Sequence, residues 1–428
     1  MNISKIIIFS LMIVSLIACK NKGNVKNQMA KTEKADSLKP DKVQTAIGPL
    51  ILPPPYATKS VAKVSSIVGW EEGQTPKAPD GFKVSRFADD LDHPRNLYVA
   101  PNGNYFVAES NDPQNSADQI RLLRDTNGDG EIDERHVFLE NLNQPYGMLI
   151  LNGYFYVGNV DGVVRFPYKE GQTKIEEEGE EILKLPAGGY NHHWTRNLIA
   201  NEDGSKIYIT VGSSSNVGEH GMEKEKRRAN ILQINPDGSG EIIFASGLRN
   251  PVGIDWNPAN SELWTAVNER DKLGDNLVPD YITSVKKDGF YGWPYSYFGQ
   301  IKDPRWKEEP HQKMVDKAIV PDVPVGSHTA SLGLEFYNGN QFPTKYKNGA
   351  FVGQHGSWNR SKLAGYKVLF VPFENGKPQK PQDFLTGFLV NENGVKAHGR
   401  PVAVSETKDG SLLVNDDDGG VIWKVSAK

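Results

Sequence analysis

The chain has one cysteine, Cys19, among 428 residues, so no intramolecular disulfide can form and any exported domain must be stable through its core alone. Walker and dinucleotide glycine loops, zinc-spaced Cys/His clusters and a nucleophile elbow are also missing, which argues against a nucleotide cofactor. Neither sign of charge dominates. Lys and Arg number 49 against 53 Asp and Glu, a net of -4, which gives no electrostatic reason to expect a nucleic-acid partner. The one apolar run at the N-terminus, residues 6–18, is too short to span a bilayer comfortably.

What is abundant points to strands. Glycine (42), proline (27) and 10% aromatics suit many short strands joined by turns, and 38% hydrophobic residues can bury a sizeable core. Lys5 followed by residues 6–18 reads as a signal-peptide core, and Leu16-Ile17-Ala18-Cys19 resembles the bacterial lipobox, whose cysteine is lipidated after cleavage. The expected organisation is a signal peptide over 1–18, a lipid-anchored tether and proline-rich arm over 19–76, and a compact domain over 77–428. That makes the protein an exported lipoprotein, held on a membrane and facing the periplasm or cell surface. The plainer alternative is an ordinary signal peptide with an incidental cysteine.

Within the domain a unit recurs: a Pro/Asn turn, a short apolar strand, a DG- or NG-type turn, and a second apolar strand ending in polar residues. Pro94, Pro145, Asn197 and Pro251 mark four copies, spaced by 51, 52 and 54 residues, and two more start at Ser331 and Gly399. Six units of this size predict an all-β, six-bladed β-propeller, with FKVSRFA completing the last blade and closing the ring. An irregular β-sandwich array is the alternative. In a propeller the second-strand ends approach one opening, which makes Asn159, Ser213, Asn268, Glu269, His355 and Asp416 candidate lining groups, although strand ends of this kind can equally be simple caps.

Two motifs bear on chemistry directly. His192 and His193 open a strand, and adjacent side chains there face opposite ways, so one can face the channel as a neutral general base. Asp275 or Asp271 could orient it. Asp125, Asn127, Asp129, Glu131 and Asp133 place oxygen ligands at alternate positions, as in a calcium loop, but His136 stands where the bidentate Glu belongs. That stretch is either a structural calcium site or a plain hairpin turn.

The motifs HWTRNLIANEDGSKIYITVGSSSN, GLRNPVGIDWNP, NERDKLGDNLVPD and GFYGWP together resemble the pyrroloquinoline quinone-dependent soluble sugar dehydrogenases, particularly the sorbosone dehydrogenase-like branch. The resemblance runs over about residues 81–424 and implies a six-bladed propeller. It implies that His193 is the catalytic base and Asp275 the acid orienting it. Arg249 would lie beside the quinone oxygens, and Asn250 would also contact the cofactor. Arg400 and His398 fall where cofactor carboxylates are bound, and Gln144 near the quinone. The backbone carbonyls of Arg270 and Asp271 fall where a calcium ion that also binds the quinone is held. The glucose-oxidising members have Gly-Pro in place of Arg270-Asp271 and an acidic residue in place of Asn276. A lysine near the cofactor has no counterpart around residues 354–360.

The implied activity is oxidation of a sugar, sugar aldehyde or polyol by hydride transfer to the quinone, with calcium, and with a cytochrome or quinone as electron acceptor. A calcium-dependent lactonase-type hydrolase using Asn268, Glu269 and Asp416, or a non-catalytic glycan- or partner-binding propeller, are the competing readings.

Overall fold

The structure, a computed structural model, describes residues 39–188, 193–391 and 393–428. Sheets built on four antiparallel strands follow one another along the chain as six blades, the third gaining Gly289–Phe290 in parallel and the fifth gaining Lys377–Pro378. The first comprises Pro94–Val99, Tyr105–Glu109, Gln119–Arg124 and Glu134–Leu139; the second Gly147–Leu151, Tyr154–Asn159, Gly162–Pro167 and Glu180–Lys184. The third is built from Leu198–Ala200, Ile207–Val211, Asn230–Ile234 and Ile242–Ser246, and the fourth from Asn250–Asn257, Glu262–Asn268, Pro279–Ser284 and Val323–Ser327. Glu335–Phe336, Gly349–Gln354, Lys367–Glu374 and Gln382–Leu385 make the fifth. In the sixth, Pro401–Glu406, Leu412–Asp416 and Val421–Ala427 are joined by Phe82–Ala88, which pairs antiparallel from Ile422↔Ala88 to Ala427↔Phe82. FKVSRFA therefore closes the ring as its position foretold.

The first strands of successive blades touch in order and the sixth returns to the first. The second strands are buried on both faces: Phe106, Val107 and Ala108 are 0% exposed, as are Val157, Ile209 and Val352. Each is a run of β-branched and aromatic residues long enough to be sandwiched between neighbouring blades. Tyr146, Val252, Leu332 and Val402, one from the opening turn or strand of four blades, form a separate buried cluster. They plug the axis with apolar side chains. A Cβ on Gly333 would stand 2.2 Å from the Val402 carbonyl oxygen, so only glycine lets these inner strands approach so closely.

Packed structure is already present well before residue 77. Asp41–Thr45 and Gly48–Leu52 form a hairpin, with Leu52 buried in the core beside Leu273, Tyr281 and Phe298. The following segment is pinned to the channel face: Asn359 bonds Ser60 and Val61, and the indole of Trp70 reaches Asp416. The proline-rich arm thus packs on the globule from the hairpin onward, as part of the domain. Cys19 and the signal segment lie outside the described residues.

Candidate active site

Above the apolar plug, polar side chains from all six blades gather at the mouth of the channel. His193 follows the third blade's long entry loop, and its Nδ1 lies 3.0 Å from both the carbonyl oxygen and the hydroxyl of Ser213. The carbonyl can only accept, so Nδ1 carries the proton and Nε2 is the basic nitrogen. His192, the alternative to it, lies outside the described residues. Gly212 sits against both His193 and Asn250: a Cβ there would be 2.5 Å from His193 Cβ and 2.3 Å from Asn250 Oδ1. Asn250 is buried, and its Oδ1 has no partner among the described residues. An unmet amide oxygen beside a histidine costs free energy unless a ligand satisfies it.

Several expected roles are corrected. Asp275 does not orient His193; its carboxylate accepts from the Ser361 amide at 2.9 Å and from the Ser361 hydroxyl, and its own amide is held by Thr58. Asp271 is the acid at the channel, but it holds Arg249 at 2.9 Å and His328 at 3.2 Å. Arg249 is fully buried and all five of its N–H groups are taken by Asn216, Asn268, Glu269 and Asp271. It is a strut that ties three loops together, with no donor remaining for a quinone oxygen. His398 is stacked on Trp70, donates Nδ1–H to the Gly69 carbonyl and meets Gln74 through Nε2, so it has no donor for a carboxylate. The backbone carbonyl of Asp271 accepts from Asn216 Nδ2 and from the Arg270 guanidinium, and that of Arg270 from the Val278 amide. Both carbonyls thus already accept from groups within the chain.

Arg400 does face the mouth. It donates to the carbonyls of His355 and Gly356 and stands 3.5 Å from Asp418, which leaves part of its guanidinium available. Gln144, in a left-handed turn, donates to the Asn111 carbonyl, and its amide oxygen has no partner among the described residues.

The loop from Asp125 to Asp133 joins the third and fourth strands of the first blade, and its side chains bond within the loop. Asp125 accepts from the amides of Gly128 and Gly130, Asn127 from that of Asp129, and Asp129 from that of Glu131. Asp133 takes Thr126 through its amide and hydroxyl, which holds its carboxyl below the usual range. The carboxylates serve the turn's own N–H groups. Nor do Asn268, Glu269 and Asp416 assemble a lactonase-type metal site: Asp416 lies beneath Trp70 and Trp423, bonded to both indoles.

Arg95, Asp417 and His328, which the sequence reading missed, complete the site beside His355 and Glu269, which it had placed among the lining groups. Arg95, buried, pairs with Asp417, stacks over Trp194 at 5.1 Å and leaves Nε without a partner among the described residues. Asp417 also takes His93 at 2.9 Å and His355 at 2.8 Å. Burial opposes its ionisation, but Arg95 and the two histidines outweigh that and hold it well below the carboxylate range. His355 is pushed down to about 4 by burial and by Arg400, so it is neutral and donates Nε2–H to Asp417. His328 is the opposite case: burial pulls its pKa down, but Asp271 and the Gly274 carbonyl raise it, and both ring nitrogens face acceptors. Both contacts favour its charged form. Burial pushes Glu269 up to about 8. Asp417 neighbours Asp416 in the run NDDD, and alternation along a strand, applied to that run, would have separated the two.

A ring-closed six-bladed propeller with a polar, cation-rich mouth over an apolar plug is thus the class of protein that fold and site define. Residues 71–416 match the family described as Domain of unknown function (DUF7133), and the chain belongs to that family. It is 29% identical over 372 residues to an uncharacterized protein of Borreliella burgdorferi, covering 84% of this chain and 93% of that one. It is 23% identical to the pyrroloquinoline quinone-dependent pyranose dehydrogenase of Coprinopsis cinerea, covering 80% of this chain and about half (53%) of the fungal enzyme. Aldose sugar dehydrogenase YliI of Escherichia coli is also 23% identical, over 60% of this chain and 66% of that one.

Among solved structures, the family AA12 carbohydrate-active enzyme of Trichoderma reesei (iodide structure) superposes with a TM-score of 0.71 at 18% identity, covering 85% of this chain and 99% of that one. The holo pyranose dehydrogenase quinone domain of Coprinopsis cinerea gives 0.68 at 20%, covering 85% and 100%. The resemblance to the quinone-dependent sugar dehydrogenases therefore holds at the level of fold.

Proposed function

We propose that the protein oxidises a sugar, or a related aldehyde or polyol, using pyrroloquinoline quinone bound at the channel mouth. The observation that carries this reading is Asn250, whose buried amide oxygen is unmatched beside His193 across Gly212. Relatives named as quinone-dependent sugar dehydrogenases on the same fold support it. Asn250, Gln144 and Arg400 would hold the cofactor, and Arg95 offers its unmatched Nε to an anionic group. When bound, the quinone supplies a two-electron acceptor that takes hydride from the substrate carbon.

The chain's own part is proton handling and positioning. His193 accepts the substrate hydroxyl proton at Nε2 as the C–H bond breaks and the carbonyl forms, while the Ser213 carbonyl keeps Nδ1–H in place. The apolar plug of Tyr146, Val252, Leu332 and Val402 excludes water from beneath, which strengthens each polar contact above it. An electron acceptor such as a cytochrome must regenerate the cofactor, and lipidation of Cys19 would place the reaction outside the cytoplasmic membrane. Titrating the purified chain with the quinone, then assaying dye reduction with a panel of aldoses, tests the reading. Saturable absorbance change and quinone-dependent turnover are expected; absence of both overturns it.

A further inference from the structure

We infer that the Arg270 guanidinium fills, from within the chain, the place that the resemblance assigns to a divalent ion, so that a quinone in this channel is bound without calcium. The inference rests on the quinone reading above and deepens it.

Calcium needs six to eight oxygen ligands with lone pairs directed at it. A carbonyl oxygen has two lone pairs, and both of those on Asp271 are engaged: Arg270 Nη1 donates at 2.5 Å and Asn216 Nδ2 at 3.1 Å. The first of these donors is itself a cation, which would repel an incoming ion. The guanidinium is held there by Asp303, which meets Nη2 at 3.2 Å and also pairs with Nε. Asp303 is fixed in turn by the Arg305 amide at 2.9 Å, and both Arg270 and Asp303 are buried.

The carboxylates that could complete a calcium shell are engaged as well. Asp271 is bridged by Arg249 and His328, and Asp303 by Arg270. A buried arginine with a carboxylate anchor is a permanent charge that cannot be removed by a chelator. The chain thus carries glycine's replacement and its counter-ion together: Arg270 where the glucose-oxidising proteins have glycine, and Asp303 from the insertion that follows the fourth blade's third strand.

The test uses the purified full-length chain and its Arg270→Gly variant, with Arg270→Gly/Asp303→Asn as a second form should the single substitution leave Asp303 too costly to bury. Absorbance titration with pyrroloquinoline quinone in EGTA and in calcium should give dissociation constants within about twofold of each other for the wild type. In the glycine variant binding should fall about tenfold or more in EGTA and recover in calcium. A wild type that binds the quinone about tenfold more tightly in calcium overturns the proposal. Calorimetric titration with calcium alone is the independent arm. One more bound ion in the glycine variants than in the wild type supports the proposal, and equal counts overturn it. If no quinone binds under either condition, the cofactor reading fails, and the ion count still decides the role of Arg270.

Discussion

His193 and Asn250 approach each other across a gap only a glycine leaves open: His193 Cβ and Asn250 Oδ1 both lie within 2.5 Å of where a Cβ on Gly212 would stand. The base and the unmatched amide are therefore placed by one backbone position, just past the end of the strand Ile207–Val211. Gly212→Ala should push the two apart at a cost of about 1–3 kcal/mol in stability. It should lower turnover and quinone affinity together, measurable by dye reduction and absorbance titration. A variant with wild-type kinetics would remove Gly212 from the site.

His193→Ala should cost about 10² to 10⁴ in turnover while leaving quinone affinity nearly unchanged, since its role is in the chemistry. Ser213→Ala keeps the carbonyl that holds Nδ1–H, so activity should stay within about tenfold. Asp275→Asn should stay within about threefold, because that carboxylate serves Ser361 and not the base. Single-turnover reduction of bound cofactor measures all three. A large loss with Asp275→Asn would restore it as the orienting acid.

In the inner strands of the fourth, fifth and sixth blades, Asp255, Glu335 and Glu406 form a half-buried acidic group away from the mouth. Burial raises Asp255 to about 7, Glu335 well above its ordinary value, and Glu406 in the same direction. Between about pH 4, where unfolded carboxyls titrate, and pH 7 the folded state keeps protons that the unfolded state has lost. Stability should therefore fall as pH rises through that window. Glu335→Gln retains the oxygen that accepts the Glu406 amide and removes one titrating group, so its urea midpoint should decline less between pH 5 and 7. Parallel declines in both proteins would count against this account.

Trp70 holds Asp416 at 2.6 Å from a position 346 residues earlier in the chain. Trp70→Phe keeps most of the ring's packing but removes that donor, and should cost about 1.5–3 kcal/mol, the range for a hydrogen bond to a charged group. Thermal unfolding measures it. An unchanged melting temperature would show that Trp423, Arg400 and Gly419 satisfy the carboxylate alone.

Cys19→Ala should move the protein from the membrane fraction to a soluble one, and intact mass of the membrane-extracted wild type should carry acyl chains on Cys19. A wild type cleaved elsewhere and lacking that residue would sink the lipoprotein reading.

The propeller was legible because each blade repeats a turn, two apolar strands and a polar end, and because FKVSRFA had no partner but the last blade. The repeat did not point to Asn250 or choose between His192 and His193; both came from the motifs shared with the sugar dehydrogenases. What stayed hidden came from segments that meet only in three dimensions. Asp275 is claimed by Thr58 and Ser361, and His398 by Gly69 and Gln74. Those partners lie on an arm and a loop that no local pattern assigns to the channel. Asp417 escaped notice because it lies one residue past the strand that ends at Asp416, where alternation no longer says which way a side chain points. Arg249 has the right place, but its partners Asn216 and Asp271 could not be known to exhaust its donors.

Because Phe82–Ala88 zips onto Val421–Ala427, the order of the blades is circular, and the molecule has no first or last blade in space. A nick in an exposed turn such as residues 201–205 would leave every blade still linked to its neighbours through the ring. By the same logic, new termini placed in that turn, with residues 428 and 39 bridged by a linker that leaves the arm in place, should yield a permuted chain with the same channel. Peeling off the closing strand is different: it opens one blade edge and unlocks the whole circle, so resistance to forced unfolding is concentrated in that single seam.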